Sequence, residues 1–291
     1  MIQTEKIVNT DLPPCVVKKF CGGVVVGTYE LDRETGEKSG SLDLYNTDTL
    51  ELVKTVPTPF ATLDIKVHDG QVYAGNSNGG ISIYNKDLTL VSELRLDHVS
   101  VTMLNIRGNL LAAVFTSGDL VLFDLEKQAE LLKTHIHSCE AWTVLADKDG
   151  MVYSGGDDRV LACTDPRINA VIWKTKPHDA GVTSLLKRGD NDLWTGGYDD
   201  CVKVFDVRSQ KVKESKNLGG GVWRLIANMD NSRVMACCMY GGLRILDSNA
   251  LHVRESLTNH DSMVYGGTWL GSNEGVSISF YDKMLQKWTC L

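Results

Sequence analysis

Along most of the chain, apolar and polar positions alternate in runs of only a few residues. Ile81-Ser82-Ile83 and Val202-Lys203-Val204 are two examples. Alternation with a period of two belongs to a strand that buries one face. Each run follows a turn rich in Gly, Asn, Asp or Ser, such as N-S-N-G-G at 76–80 and G-Y-D-D at 197–200. No helical period interrupts the pattern, so the chain is expected to be all-β.

The strands recur at a fixed interval. Residues 153–167 read Y-S-G-G-D-D-R-V-L-A-C-T-D-P-R, and residues 194–208, which begin 41 positions later, read W-T-G-G-Y-D-D-C-V-K-V-F-D-V-R. The position of Phe205 can be followed through the whole chain as Tyr45, Tyr84, Phe123, Thr164, Phe205, Leu246 and Trp288, at intervals of 39 to 42. The next residue is Asn or Asp six times out of seven. Short strands, regular turns and a period near 40 predict a seven-bladed β-propeller of WD-repeat type, a single domain over residues 1–291. Only three strands of the last blade lie in register at the C-terminal end. Residues 3–10 are therefore expected to add its fourth strand and close the ring.

Composition narrows the function classes. The net charge of −7 argues against a basic surface for nucleic acid. The eight cysteines contain no C-x-x-C pair, and most lie in apolar runs, which fits free thiols in a reducing compartment. The N-terminal stretch MIQTEKIVNT has no signal-peptide core, and no apolar run is long enough for a membrane-spanning helix. A cytoplasmic monomer without a membrane or nucleic-acid partner is expected.

Several motifs that look chemical read better as architecture. G-N-S-N-G at 75–79 matches a nucleophile elbow, but it lies between two strands in repeat register, so Ser77 is read as a hairpin residue. Asp158, Asp199 and Asp282 each stand six residues before their anchor, where a carboxylate holds a turn. His98, His137, His178 and His260 open their blades, as partners for such aspartates. His135 and His137 form H-x-H without matching third and fourth ligands, so no metal is expected. K-V-K-E-S-K at 211–216 reads as a solvated outer strand.

One constellation is not routine packing. Trp142, Thr183, Trp223 and Tyr265 occupy the same place at the start of the innermost strand in four successive blades. That end of the strand lies near one mouth of the central channel. Glu140 stands two residues before Trp142, Arg224 follows Trp223, and Gly219-Gly220-Gly221 replaces the histidine of neighbouring blades. The aromatics either wedge between blades as core or wall a site for a cation. In the second case a carboxylate, a guanidinium and glycine amides able to face an anion would surround them.

The segments H-S-C-E-A-W (137–142), S-G-G-D-D (154–158), G-G-V-W-R (220–224), H-D-S-M-V-Y-G (260–266) and S-F-Y-D-x-x-L-x-x-W (279–288) resemble the diphthine methyl ester hydrolases, WD-repeat proteins of diphthamide biosynthesis. The resemblance is specific in the last four blades and rests on the general repeat in the first three. It implies hydrolysis of the methyl ester of a methylated diphthine intermediate on elongation factor 2, with release of methanol and no cofactor. Trp142, Trp223 and Tyr265 would then hold a trimethylammonium group. Glu140 or His178 would act as general base, and Arg224 or the Gly220 and Gly221 amides would meet the oxyanion. The residues leave the attacking group open between water and a side chain such as Ser262 or Cys238. The rival reading is a non-catalytic WD-repeat scaffold that joins proteins through its flat faces.

Overall fold

The computed structural model describes residues 2–290 and contains no helix among them. Seven antiparallel sheets stand around a central channel, six of them built from consecutive strands, as the 40-residue repeat predicts. In blade 5, the strands are Val182–Arg188, Asp192–Gly197, Cys201–Asp206 and Lys211–Asn217, running from the channel to the rim. The outermost of them is exposed at every position.

All seven anchor positions are buried, from Thr164, Leu246 and Trp288 at 0% exposure to Phe123 at 8%. Their neighbours hold the turn that follows. Asn46, Asp124 and Asp206 each accept two backbone N–H bonds from that turn at 2.8–3.0 Å. The repeat therefore couples an apolar plug between blades to a polar turn lock, which explains why the two residues travel together.

The ring closes as expected. Gln3–Asn9 pairs antiparallel with Met284–Thr289 and completes blade 7 as its outer strand. Blade 1 departs from the plain repeat. A short strand, Glu30–Leu31, pairs with the start of Lys38–Asn46 and forms an extra hairpin beside the channel mouth. This insertion lengthens the first repeat.

The His–Asp reading holds in blades 4 and 5, whereas in blade 7, which also carries both residues in register, the two are not hydrogen-bonded to each other. His178 Nδ1 bonds Asp199 at 2.8 Å and its Nε2 bonds Thr195 Oγ1 at 2.8 Å. His137 bonds Asp158 and Ser154 in the same way. In blade 7, His260 bonds Ser277 at 3.0 Å, and Asp282 accepts the Asp261 amide. His98 differs: it is exposed, because blade 3 has Ser117 where a turn aspartate would stand.

Candidate functional site

The innermost strands share an irregularity that positions the site. In six of the seven blades the pairing of the first and second strands skips one residue near its start. The bulged residues are Cys15, Leu63, Thr102, Trp142, Thr183 and Tyr265. A bulge leaves its residue out of the ladder and re-aims the side chain. Two of the bulged residues are threonines, whose hydroxyls donate to the next blade: Thr183 to the Val222 carbonyl at 2.6 Å and Thr102 to that of Ala141. The aromatic ones, joined by Trp223 of blade 6, line the channel mouth.

A second tier lies above the first. The residue that follows the second strand sends its N–H to the carbonyl two positions before each bulge. These residues are Tyr29, Ser77, Thr116, Asp157, Tyr198 and Phe280. Together the tiers form a cavity of about 720 Å³ that includes Cys15, Tyr29, Trp142, Tyr198, Trp223, Arg224, Tyr265 and Phe280. The Trp223 ring is its hub. Ring centroids lie 5.6 Å away at Trp142, 5.9 Å at Tyr198 and 5.3 Å at Tyr265, and Tyr265 continues to Phe280 at 5.2 Å. The four central rings are all half-buried, so they present π-surface to the cavity while packing on one another.

Charge is distributed unevenly around this wall. On the blade 4 side, Trp142 Nε1 donates to Asp157 at 3.4 Å, and the Asp157 amide donates to the Glu140 carbonyl. On the blade 6 side, the Arg224 guanidinium stacks 4.9 Å from the Trp223 ring centroid and donates to the Trp223 carbonyl at 3.0 Å. The Tyr198 phenol is held well above its ordinary pKa, first by burial, then by Tyr265, Asp157 and Glu140, with Arg224 opposing. Burial also pushes the Tyr265 phenol up to about 12. Both remain hydrogen-bond donors at neutral pH.

The structure sorts the sequence candidates. Trp142, Trp223, Tyr265 and Arg224 converge at the mouth, whereas Glu140 is not among the residues that line the cavity, although its charge reaches the Tyr198 phenol. His178 does not join them. Its ring is buried and both nitrogens are committed to Asp199 and Thr195, so no lone pair is free to take a proton from water. Gly220 and Gly221 do not line the cavity either. A Cβ at Gly220 would lie 2.2 Å from the Cys238 carbonyl oxygen, and one at Gly221 would lie 2.8 Å from Met239 Sδ. Close backbone approach explains Gly220, and the Met239 side chain fills the space beside Gly221. Ser262 is buried and its Oγ accepts the Tyr281 amide. Cys238 is buried, and its thiol is pushed up to about 12 by desolvation. Neither supplies a nucleophile at neutral pH.

Sequence reasoning missed Tyr198 and Phe280. The signal was present: Tyr198 is the one residue by which G-G-Y-D-D differs from G-G-D-D, and the repeat register puts Asp157 in the same tier.

No family model matches the chain. A protein of Schizosaccharomyces pombe named diphthine methyltransferase is 34% identical, over 96% of this chain and 95% of its own length. The chain belongs to the diphthine methyltransferase family. A Saccharomyces cerevisiae protein of the same name is 28% identical over 99% of both chains, and the Homo sapiens protein is 33% identical over 46% of this chain and 32% of its own. The resemblance carried by E-A-W, G-G-V-W-R and S-M-V-Y-G is thus borne out at the level of the family. Among solved structures, a chain of a mitotic checkpoint complex superposes with a TM-score of 0.81 at 18% identity, over 99% of this chain and 91% of its own. That likeness concerns the propeller fold alone.

Proposed function

We propose that this chain acts in diphthamide biosynthesis as a carboxylic ester hydrolase that removes the methyl ester from the methylated diphthine intermediate on elongation factor 2. The observation that carries the reading is the convergence of Trp142, Tyr198, Trp223 and Tyr265 on one cavity with Arg224 at its edge. A trimethylammonium group is large, apolar in its outer surface and positive, and an aromatic wall suits all three properties. Family membership points the same way, although the relatives are named for methyl transfer.

In this reading the nucleophile is water. The Glu140 carboxylate accepts one proton from it as the oxygen attacks the ester carbonyl. The negative charge that develops on the carbonyl oxygen faces the Arg224 guanidinium, and collapse of the tetrahedral intermediate expels methoxide, which leaves as methanol with that proton. The products are a carboxylate, methanol and a released proton, so one water balances the reaction.

A scaffold role is favoured by a different observation. Tyr240 and Tyr281 are 72% and 66% exposed in the second-to-third-strand loops of blades 6 and 7, on the same face as the cavity. Large exposed aromatics suit a protein partner.

The deciding experiment is mass spectrometry of methyl-esterified elongation factor 2 before and after incubation with the protein. Loss of one CH₂ with release of methanol is expected. Gain of one CH₂ would indicate methyl transfer, and an unchanged mass with folded protein would leave the scaffold.

A further inference from the structure

Below the aromatic wall the channel changes character. Lys18 lies three residues along Pro14–Phe20 from Cys15, about 10 Å deeper at the rise of a strand. Lys66 and Asp64 project from Thr62–His68 of the next blade, and Arg224 enters from blade 6. Asp64 is buried and already committed: its Oδ2 accepts the Leu104 amide at 2.9 Å and faces Lys66 Nζ at 3.5 Å. Three cations thus share one carboxylate inside a chain whose net charge is −7.

The cost of this arrangement is visible in Lys18. The residue is half-buried, and its pKa is brought down to about 8, first by desolvation, then by Lys66, with Asp64 opposing and Arg224 adding to the fall. The nearby thiols do not supply the missing negative charge, since burial pushes Cys15 up to about 12 and Cys237 well above its ordinary value. Crowding like charges away from water destabilises a fold. Packing alone would be better served by an apolar residue at position 18.

We propose that Lys18, Lys66 and Arg224 form an anion-binding half-site beneath the aromatic wall, so that the mouth as a whole binds a zwitterion. The quaternary ammonium lies against Trp142, Tyr198 and Tyr265, on the side of Asp157. The carboxyl end points down the channel toward Arg224 and Lys18. The identity of the natural ligand rests on the ester-hydrolase reading; the bipolar site does not. With the ester bound, the same cations face the carbonyl oxygen, and after hydrolysis they hold the product carboxylate.

The test is titration of the intact protein with glycine betaine and with tetramethylammonium, followed by NMR. The wild type is expected to bind glycine betaine at least tenfold more tightly, because only that probe carries both charges. Lys18→Met should abolish the preference and leave tetramethylammonium binding unchanged, Lys18→Arg should keep it, and Lys18→Met should melt at a higher temperature than the wild type. Equal binding of the two probes by the wild type overturns the proposal. So does a Lys18→Met protein that keeps the preference, or one that melts lower while keeping it, which is the behaviour of a structural lysine. Betaine preference without ester hydrolysis would retire the reaction and keep the site; hydrolysis without preference would do the reverse.

Discussion

Blades 5 and 6 use the same repeat positions for opposite purposes. Blade 5 places His178, Thr195 and Asp199 in a buried chain of hydrogen bonds, and its innermost strand carries Thr183 and Ser184, which tie it to blade 6 through the Val222 carbonyl and the Leu225 amide. At the corresponding places blade 6 has the Gly219–Gly221 turn, Ala236 and Tyr240, and its innermost strand opens with Trp223 and Arg224. It has given up the polar network, and it supplies both the aromatic hub and the guanidinium. Stability and chemistry are therefore separable in this ring. Blades 4 and 5 keep the network and each lends one ring to the mouth, Trp142 and Tyr198, whereas blade 6, without it, supplies the hub ring and the guanidinium together.

The sharpest break of that comparison is Asp199→Ala. Burial alone would push the Asp199 carboxyl up. The bond and charge of His178, the Asp179 amide and Lys203 outweigh it, and hold the group below the ordinary carboxylate value. Removing it strands a histidine, an amide and an ammonium. We expect a loss of about 3 kcal/mol and a fall in melting temperature of roughly 5–10 °C. Turnover by the folded fraction at 25 °C should be unchanged. Lost turnover at unchanged melting temperature would move Asp199 into the chemistry.

Blade 7 is intermediate and gives a pH handle. His260 is brought down to about 4, mainly by burial, with Asp282 and Asp261 opposing. The unfolded chain therefore binds a proton near pH 6.5 that the folded chain refuses until about pH 4. Stability falls as pH drops through that window, by roughly 2–3 kcal/mol from this one group. Urea unfolding of His260→Gln against wild type, at pH 7 and at pH 4.5, should show a smaller loss in the variant. Parallel curves would remove His260 as the cause.

Trp223→Ala tests the other side of the comparison. Losing a desolvated cation–π face of about 2 kcal/mol corresponds to a fall of about 30-fold in kcat/KM for the methyl ester. The melting temperature should move less than in Asp199→Ala. Normal turnover would exclude the wall from binding.

Tyr198 is the one ring that blade 5 lends to the site, and Tyr198→Phe should have the smallest effect. The ring survives, so kcat/KM is expected to change by less than about threefold. A large loss would give the phenolic hydroxyl, held protonated by burial, a direct role as a donor.

Most of the fold was legible because its information is local. Phe205 with Asp206, or Trp288 after its turn, says within a few residues where a strand plugs the core and where it ends. The turn role of Asp199, the hairpin at Ser77 and the outer strand at 211–216 follow from the same neighbourhood logic. The site was legible only in part. Trp142, Trp223 and Tyr265 could be aligned by register, and Arg224 came with its neighbour. His178 was misplaced because a histidine near a mouth looks the same in sequence whether its nitrogens are free or bonded. Gly220 and Gly221 looked like an anion cradle, and the reason for them lies in the Cys238 and Gly241 backbone and the Met239 side chain, 18 to 21 positions away.

The sequence by itself determined the strands, their turns, the sevenfold repeat and the closing of the ring, since each depends on periodicity and on contacts between adjacent repeats. Only the tertiary structure decided which side chains meet in the channel. In six of the seven blades a bulge re-aims one residue of the innermost strand, and the ring brings Lys18, Asp64 and Arg224 together across some 200 positions. No periodicity encodes that meeting, because it depends on the angle at which separate blades face a common axis.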